Sequence, residues 1–186
     1  GALITYMFIN GNNQMILPIL LIVLLMGAVV GLINGLGVMY LKISPFVMTL
    51  SMAGVVQGAL VLYTKGYYDG KVAPIMTRII ARDLFWEIPG MIFVLIIIGI
   101  LMSLLLNRTR YGKQLFAIGV NRLTARLSGV RVSSMVVLTY VIAGAMAAFS
   151  GFLLVGYTQN AGPNLGNQYL FPSIIAVAIG GTQMSC

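Results

Sequence analysis

The sequence predicts an all-α fold: a polytopic transmembrane helical bundle, with about five helices in this stretch. Three observations lead there. Of 186 residues, 60% are hydrophobic and only 8% are charged, whereas a soluble domain carries about 25% charge. Uncharged runs cover 1–41, 43–64, 88–107 and 132–186, and about 20 apolar residues in a helix span a bilayer core. Lys and Arg gather in short segments between those runs, the distribution that sets membrane orientation.

The first helix is expected over about Met15–Tyr40, with "TYMFINGNNQ" left outside as a polar lead. The cluster Asn10-Gly11-Asn12-Asn13 is a turn signal. A second helix starts near Pro45, where a missing N–H has no partner to lose. Residues 65–89 collect charges and the breakers Gly66, Gly70 and Pro74. They read as a loop, with room for a short surface helix near "APIMTRIIARDLF". The third helix, "GMIFVLIIIGILMSLLL", lies within 88–107, and a basic loop follows it. The last uncharged run is too long for one span. "YTQNAGPNLGNQY" at 157–169 divides it with Gly, Pro and Asn. A fourth helix is therefore expected over about Ser134–Gly156, and a fifth from near Tyr169. One transmembrane domain accounts for 1–186. The start at Gly1 and the stop inside an apolar run suggest a fragment, lacking helices at both ends.

Lys42, Arg108, Arg110, Lys113, Arg122, Arg126 and Arg131 fall on one side of these spans. The other side holds Lys65, Lys71, Arg78 and Arg82, offset by Asp69, Asp83 and Glu87. The richer side is cytoplasmic by the positive-inside rule. The first, third and fifth helices then run inward, and the second and fourth outward.

Small residues four apart let membrane helices approach closely. Gly27, Gly31 and Gly35 show this spacing in the first helix. Gly54 and Gly58 show it in the second, and Ala143, Ala147 and Gly151 in the fourth. Helix packing is the plain reading. Asn34, Thr49 and Gln57 are candidate lining residues of a polar pathway, although membrane amides also serve as interhelical glue.

Catalytic chemistry has little to work with. There is no His, and the single Cys, Cys186, is terminal. No Cys/His metal site or internal disulfide can form, and no cofactor or nucleic-acid partner is implied. Asp83 and Glu87 sit four apart beside Arg78 and Arg82, which reads as surface ion pairing. Gly112-Lys113 is not a P-loop, because Asn107 stands where its first Gly belongs. The predicted spans hold no buried acid or base for a proton relay. That disfavours a secondary carrier and fits a passive path driven by a partner.

In the basic loop, Phe116, Val120, Leu123, Leu127 and Val130 alternate steps of four and three, one helical stripe. Asn121 is placed to cap a short helix over Arg122–Ser128, and Gly129 to end it. By physics alone three readings stay open: a headgroup anchor, a surface amphipathic helix, or a docking helix for a cytoplasmic protein.

"RTRYGKQLFAIGVNRLTARLSGVRV" followed by "YVIAGAMAAFSGFLL" resembles the permease subunits of bacterial ABC importers for ribose and related monosaccharides. The resemblance continues in "GLINGLGVMYLKISPFVMTLSMAGVVQGALVLYTKG" and "PSIIAVAIGGTQ". It covers about Leu17–Gln183 and is weakest over 67–88. It implies a subunit of the bacterial inner membrane that is not itself an enzyme. Its implied partners are a second permease copy, a periplasmic sugar-binding protein and a cytoplasmic ABC ATPase. The matching positions imply a coupling helix within the 108–133 loop, at Gly119, Asn121, Arg122, Ala125, Arg126, Leu127, Ser128 and Gly129. Two departures stand out. Val120 replaces a second Gly before the Asn, and Ser44-Pro45 stands where two prolines are common. A rival reading is a structural membrane protein whose basic loop only binds lipid.

Overall fold

The computed structural model describes residues 2–9, 13–65, 72, 76, 80, 83–85, 88–160 and 165–180. The architecture is the expected all-α membrane bundle. Four helices are long and apolar enough to cross a bilayer: α2 (Ile16–Tyr40), α3 (Pro45–Thr64), α4 (Gly90–Arg108) and α7 (Val132–Thr158). Shorter helices are α1 (Ala2–Ile9), α5 (Arg110–Val120), α6 (Arg122–Leu127) and α8 (Leu170–Ile179). Two short strands, β1 (Asp83–Phe85) and β2 (Ile88–Pro89), pair antiparallel just before α4.

Each span starts and stops for a local reason. α2 carries Pro18 in its first turn, where no intrahelical N–H bond is lost. Its 25 residues give a length of about 38 Å, enough to cross. α3 opens on Pro45 and closes at Lys65, whose φ of 50° is a left-handed cap. α7 closes the same way at Gln159. α8 has ten residues, about 15 Å of helix, so its described part is shorter than a span.

The first correction concerns the amino-terminal lead. Residues 2–9 form a helix rather than a polar lead, with Leu3, Thr5 and Ile9 buried. "ALITYMFI" has no breaker and is apolar; the polar residues begin only at Asn10. Leu3 packs with Val155 of α7. Ile9 joins Ile19, Val23, Phe152 and Leu153 in the main cluster, together with Met76 and Ile80. The rings of Phe149 and Phe152 stack there at 6.4 Å. This core joins the start of α2 to the end of α7.

Further along, the same two helices approach backbone to backbone. A Cβ on Gly27 would fall on the Gly144 carbonyl, and one on Gly31 on the Tyr140 carbonyl. At Gly35 a Cβ would lie 3.0 Å from the Val137 Cα. Partners descend along α7 as positions ascend along α2, so the pair is antiparallel. Lipid tails supply no hydrophobic push between helices, so close packing carries the association.

A second correction follows at the small residues. The α7 side of this seam is Gly144 and Ala148, not Ala143 and Ala147, which are exposed. One residue turns a helix by about 100°, so the two sets point in different directions. Gly151 instead faces α1, where a Cβ would meet the Ala2 nitrogen at 3.1 Å. Gly54 and Gly58 have nothing within 4 Å. α3 buries only Thr64, so among the described residues their spacing packs nothing. The expected surface helix near 73–85 and the pairing of Asp83 and Glu87 with Arg78 and Arg82 lie largely outside the described residues.

Candidate functional site

The basic residues converge where α4 ends, α5 and α6 follow, and α7 begins. Thr109 makes the first turn. Its hydroxyl donates to the Leu105 carbonyl at the end of α4 and accepts from the Gly112 amide of α5 at 3.3 Å. A Cβ on Gly112 would fall on the Leu106 carbonyl, leaving no room for a side chain. Glycine is required here by close approach.

α5 is tied to the next span. The hydroxyls of Tyr111 and Thr139 are 2.9 Å apart. Thr139 has a single hydroxyl proton and donates it to the Met135 carbonyl, so Tyr111 is the donor in the pair.

α6 is capped at both ends. The Asn121 backbone is extended, and its Oδ1 accepts from the Leu123 and Thr124 amides at 2.9 and 3.1 Å. At the other end the Gly129 amide donates to the Arg126 carbonyl and Val130 to Ala125, each at 3.1 Å. That pattern is a Schellman motif, and Gly129 has the φ of +83° it requires. Ser128 adds its hydroxyl to the Thr124 carbonyl at 3.0 Å. Val120 closes α5 in ordinary helical geometry, so its replacement of a glycine creates no conflict. Gly119 has open space around it.

The expected stripe is not one continuous helix, because Asn121 breaks it into α5 and α6. Its sidedness survives. Ala125 is 4% exposed and faces the bundle. Leu123 and Leu127, on the opposite side of the turn, are 68% and 81% exposed, and Val120 is 88% exposed. Phe116 is exposed as well. Arg122 and Arg126 flank this apolar ridge one turn apart, both exposed.

The arginines also line a groove of about 710 Å³ between α6, the last turn of α2 and the start of α7. Arg122, Arg126 and Arg131 supply its charge. Ser133 and Ser134 add hydroxyls, and Met39, Leu123, Val130 and Val132 an apolar wall. Among the described residues no carboxylate lines it. Met39 brings the α2 end, and with it the Lys42 segment, to the basic end.

The three pathway candidates have different settings. Asn34 is half-buried on α2, and its Oδ1 is buried without a hydrogen-bond partner among the described residues. Thr49 is exposed on α3, its hydroxyl donating to the Pro45 carbonyl at 2.9 Å. Gln57 is exposed on the same helix. Among the described residues no group of His, Cys, Asp and Glu could hold a metal ion.

Sequence reasoning missed the Thr109–Gly112 junction, the Tyr111–Thr139 link, the groove and Gly144. A Thr immediately before the amphipathic "RYGKQLFAIGV" is a readable N-cap signal. The groove has no local signal, since residues nearly a hundred positions apart build it.

Comparison with known proteins completes the picture. The family described as "Branched-chain amino acid transport system / permease component" matches residues 1–185. The galactose/methyl galactoside import permease protein MglC of Escherichia coli is 34% identical over 90% of this chain and 52% of its own length. The ribose import permease protein RbsC of Bacillus subtilis is 33% identical over 82% of this chain and 48% of its own. The autoinducer 2 import system permease protein LsrD of Yersinia enterocolitica is 31% identical over 87% and 50%. The chain spans about half the length of these curated relatives. No solved structure gives a significant match. With helices of spanning length, a capped basic segment between two of them and a family match along residues 1–185, the chain belongs to the permease component family of the branched-chain amino acid transport system type.

Proposed function

We propose that this chain is the membrane part of a permease subunit of an ATP-driven importer in the bacterial inner membrane. It contributes to the translocation path, and ATP is hydrolysed by a separate subunit. Segment 108–133 faces the cytoplasm and carries the coupling helix, α6, that meets the ATPase. The single observation carrying this is the exposed apolar ridge of Val120, Leu123 and Leu127 on a doubly capped helix. A water-facing ridge of large apolar side chains marks a protein contact. Thr109 and Tyr111 join the segment to α4 and α7, so a push on α6 reaches two spans. Apart from Arg108 in the last turn of α4, the described spans hold no acid or base that could couple an ion gradient, which supports a partner as the energy source.

The cargo we propose is a monosaccharide or a solute of similar size and polarity, delivered by a periplasmic binding protein to a pore completed by a second permease copy. The names of the relatives support the class, and their variety leaves ribose as one member of it. Asn34, Thr49 and Gln57 are the proposed pathway-lining groups.

The test uses the complete permease reconstituted with its ATPase. Leu127→Glu puts a charge on the ridge. Gly129→Pro cannot reach the positive φ and removes the amide that bonds Arg126. Both variants are expected to lose ATPase co-purification and transport-linked hydrolysis while still inserting in the membrane. Normal binding and hydrolysis in both would overturn the coupling assignment.

A further inference from the structure

The groove beside α6 has a chemistry that an apolar contact alone does not use. Of the apolar ridge only Leu123 reaches into the groove; Val120 and Leu127 do not line it. Arg122 and Arg126, one turn apart on α6, line the groove together with Arg131. Three guanidinium groups with no carboxylate among them leave a concentrated positive charge seeking an anion. Guanidinium is the side chain that binds phosphate bidentately. The two serine hydroxyls add donors of the kind a phosphodiester accepts.

We propose that this groove is a binding site for the headgroup of an anionic phospholipid. Three features favour lipid over a free anion. The groove lies between the last turn of one span and the first turn of another, the level at which headgroups sit. One wall is apolar, with Met39 and Val130, which suits the glycerol and upper acyl region and gives nothing to a free phosphate. Its volume, about 710 Å³, lies in the range of small-ligand sites, roughly 300–1,000 Å³. The lipid would hold α6 against the ends of α2 and α7 and cover Leu123, while Val120 and Leu127 stay free for the ATPase. The inference needs the basic end at the membrane surface but not the ATPase contact, so either reading can fail alone.

The experiment takes the complete permease with its ATPase, extracted in mild detergent. It is titrated with phosphatidylglycerol against phosphatidylcholine of the same chains, and bound lipid is read by native mass spectrometry. Phosphatidylglycerol is expected to be retained preferentially. Arg122→Gln and Arg131→Gln are each expected to weaken retention about five-fold, the contribution of one basic group beside anionic lipid. Arg108→Gln, outside the groove, is expected to leave it unchanged, and excess inorganic phosphate not to displace the lipid. Equal binding of the two lipids would overturn the proposal, as would an equal loss with Arg108→Gln. Displacement by phosphate would assign a free-anion site instead. Retention only when the ATPase is absent would assign the groove to an acidic surface of that subunit.

Discussion

Glycines along one helix do different work at different positions. Gly31 meets the Tyr140 carbonyl and Gly144 the Gly27 carbonyl, and backbone atoms cannot swing aside as a side chain can. Gly31→Ala is therefore expected to destabilise the purified permease by about 1–3 kcal/mol, the usual penalty of overpacking, read as an earlier thermal transition. Gly58→Ala meets nothing within 4 Å among the described residues and is expected to leave the α2–α7 pair intact. The glycine spacing on α2 was legible because every fourth residue lies on nearly one face. On α7 small residues occupy two adjacent faces, and spacing alone could not choose Gly144 over Ala143. Asn34 makes a different point. Its buried amide oxygen has no partner among the described residues, so Asn34→Leu is expected to remove a desolvation penalty of about 1–3 kcal/mol. The expected outcome is unchanged or higher stability with reduced uptake of the cargo, measured on the same preparation. Unchanged uptake would remove Asn34 from the proposed pathway.

At the scale of elements, the spans were legible because membrane helices need long uncharged runs, and breaks such as Pro45 and Lys42 are local. α6 was legible for a related reason: Asn121 and Gly129 act on amides and carbonyls within a few residues. Asn121→Ala is expected to cost about 1 kcal/mol of local stability, seen as faster hydrogen exchange at the Leu123 and Thr124 amides with α7 unaffected. What could not be read locally was contact between distant elements. α1 becomes a helix because Leu3 and Ile9 find a buried place against α2 and α7, and an eight-residue stretch with Thr5 inside it gives little notice of that. The Tyr111–Thr139 bond spans 28 positions. Tyr111→Phe keeps the ring and removes the bond. It is expected to leave ATPase binding intact and to lower transport per ATP hydrolysed, because the push on α5 then reaches α7 less directly. Equal coupling ratios would show that the bond is structural only.

Across the whole molecule, a packed core and a charged end lie at opposite ends of the α2–α7 pair. Ile19, Val23 and Phe152 bury one end, and Arg122, Arg126 and Arg131 gather at the other. Most of α3 and α4 remains exposed among the described residues, although Met91, Val94 and Ile98 of α4 pack against the core, as suits helices with faces left for lipid or for further protein. The charge asymmetry that suggested this polarity was visible in the sequence, because positive groups are held on one side during insertion. The cargo was not, since its recognition depends on a few side chains brought together in a completed pore. The most direct measurement is site-specific cross-linking at the apolar ridge. Leu127→Cys in a Cys186→Ala background, in inside-out membrane vesicles, is expected to be labelled from the cytoplasmic side and to cross-link to the ATPase subunit. Labelling only from the opposite side, or no cross-link to the ATPase despite labelling, would contradict the coupling role of α6.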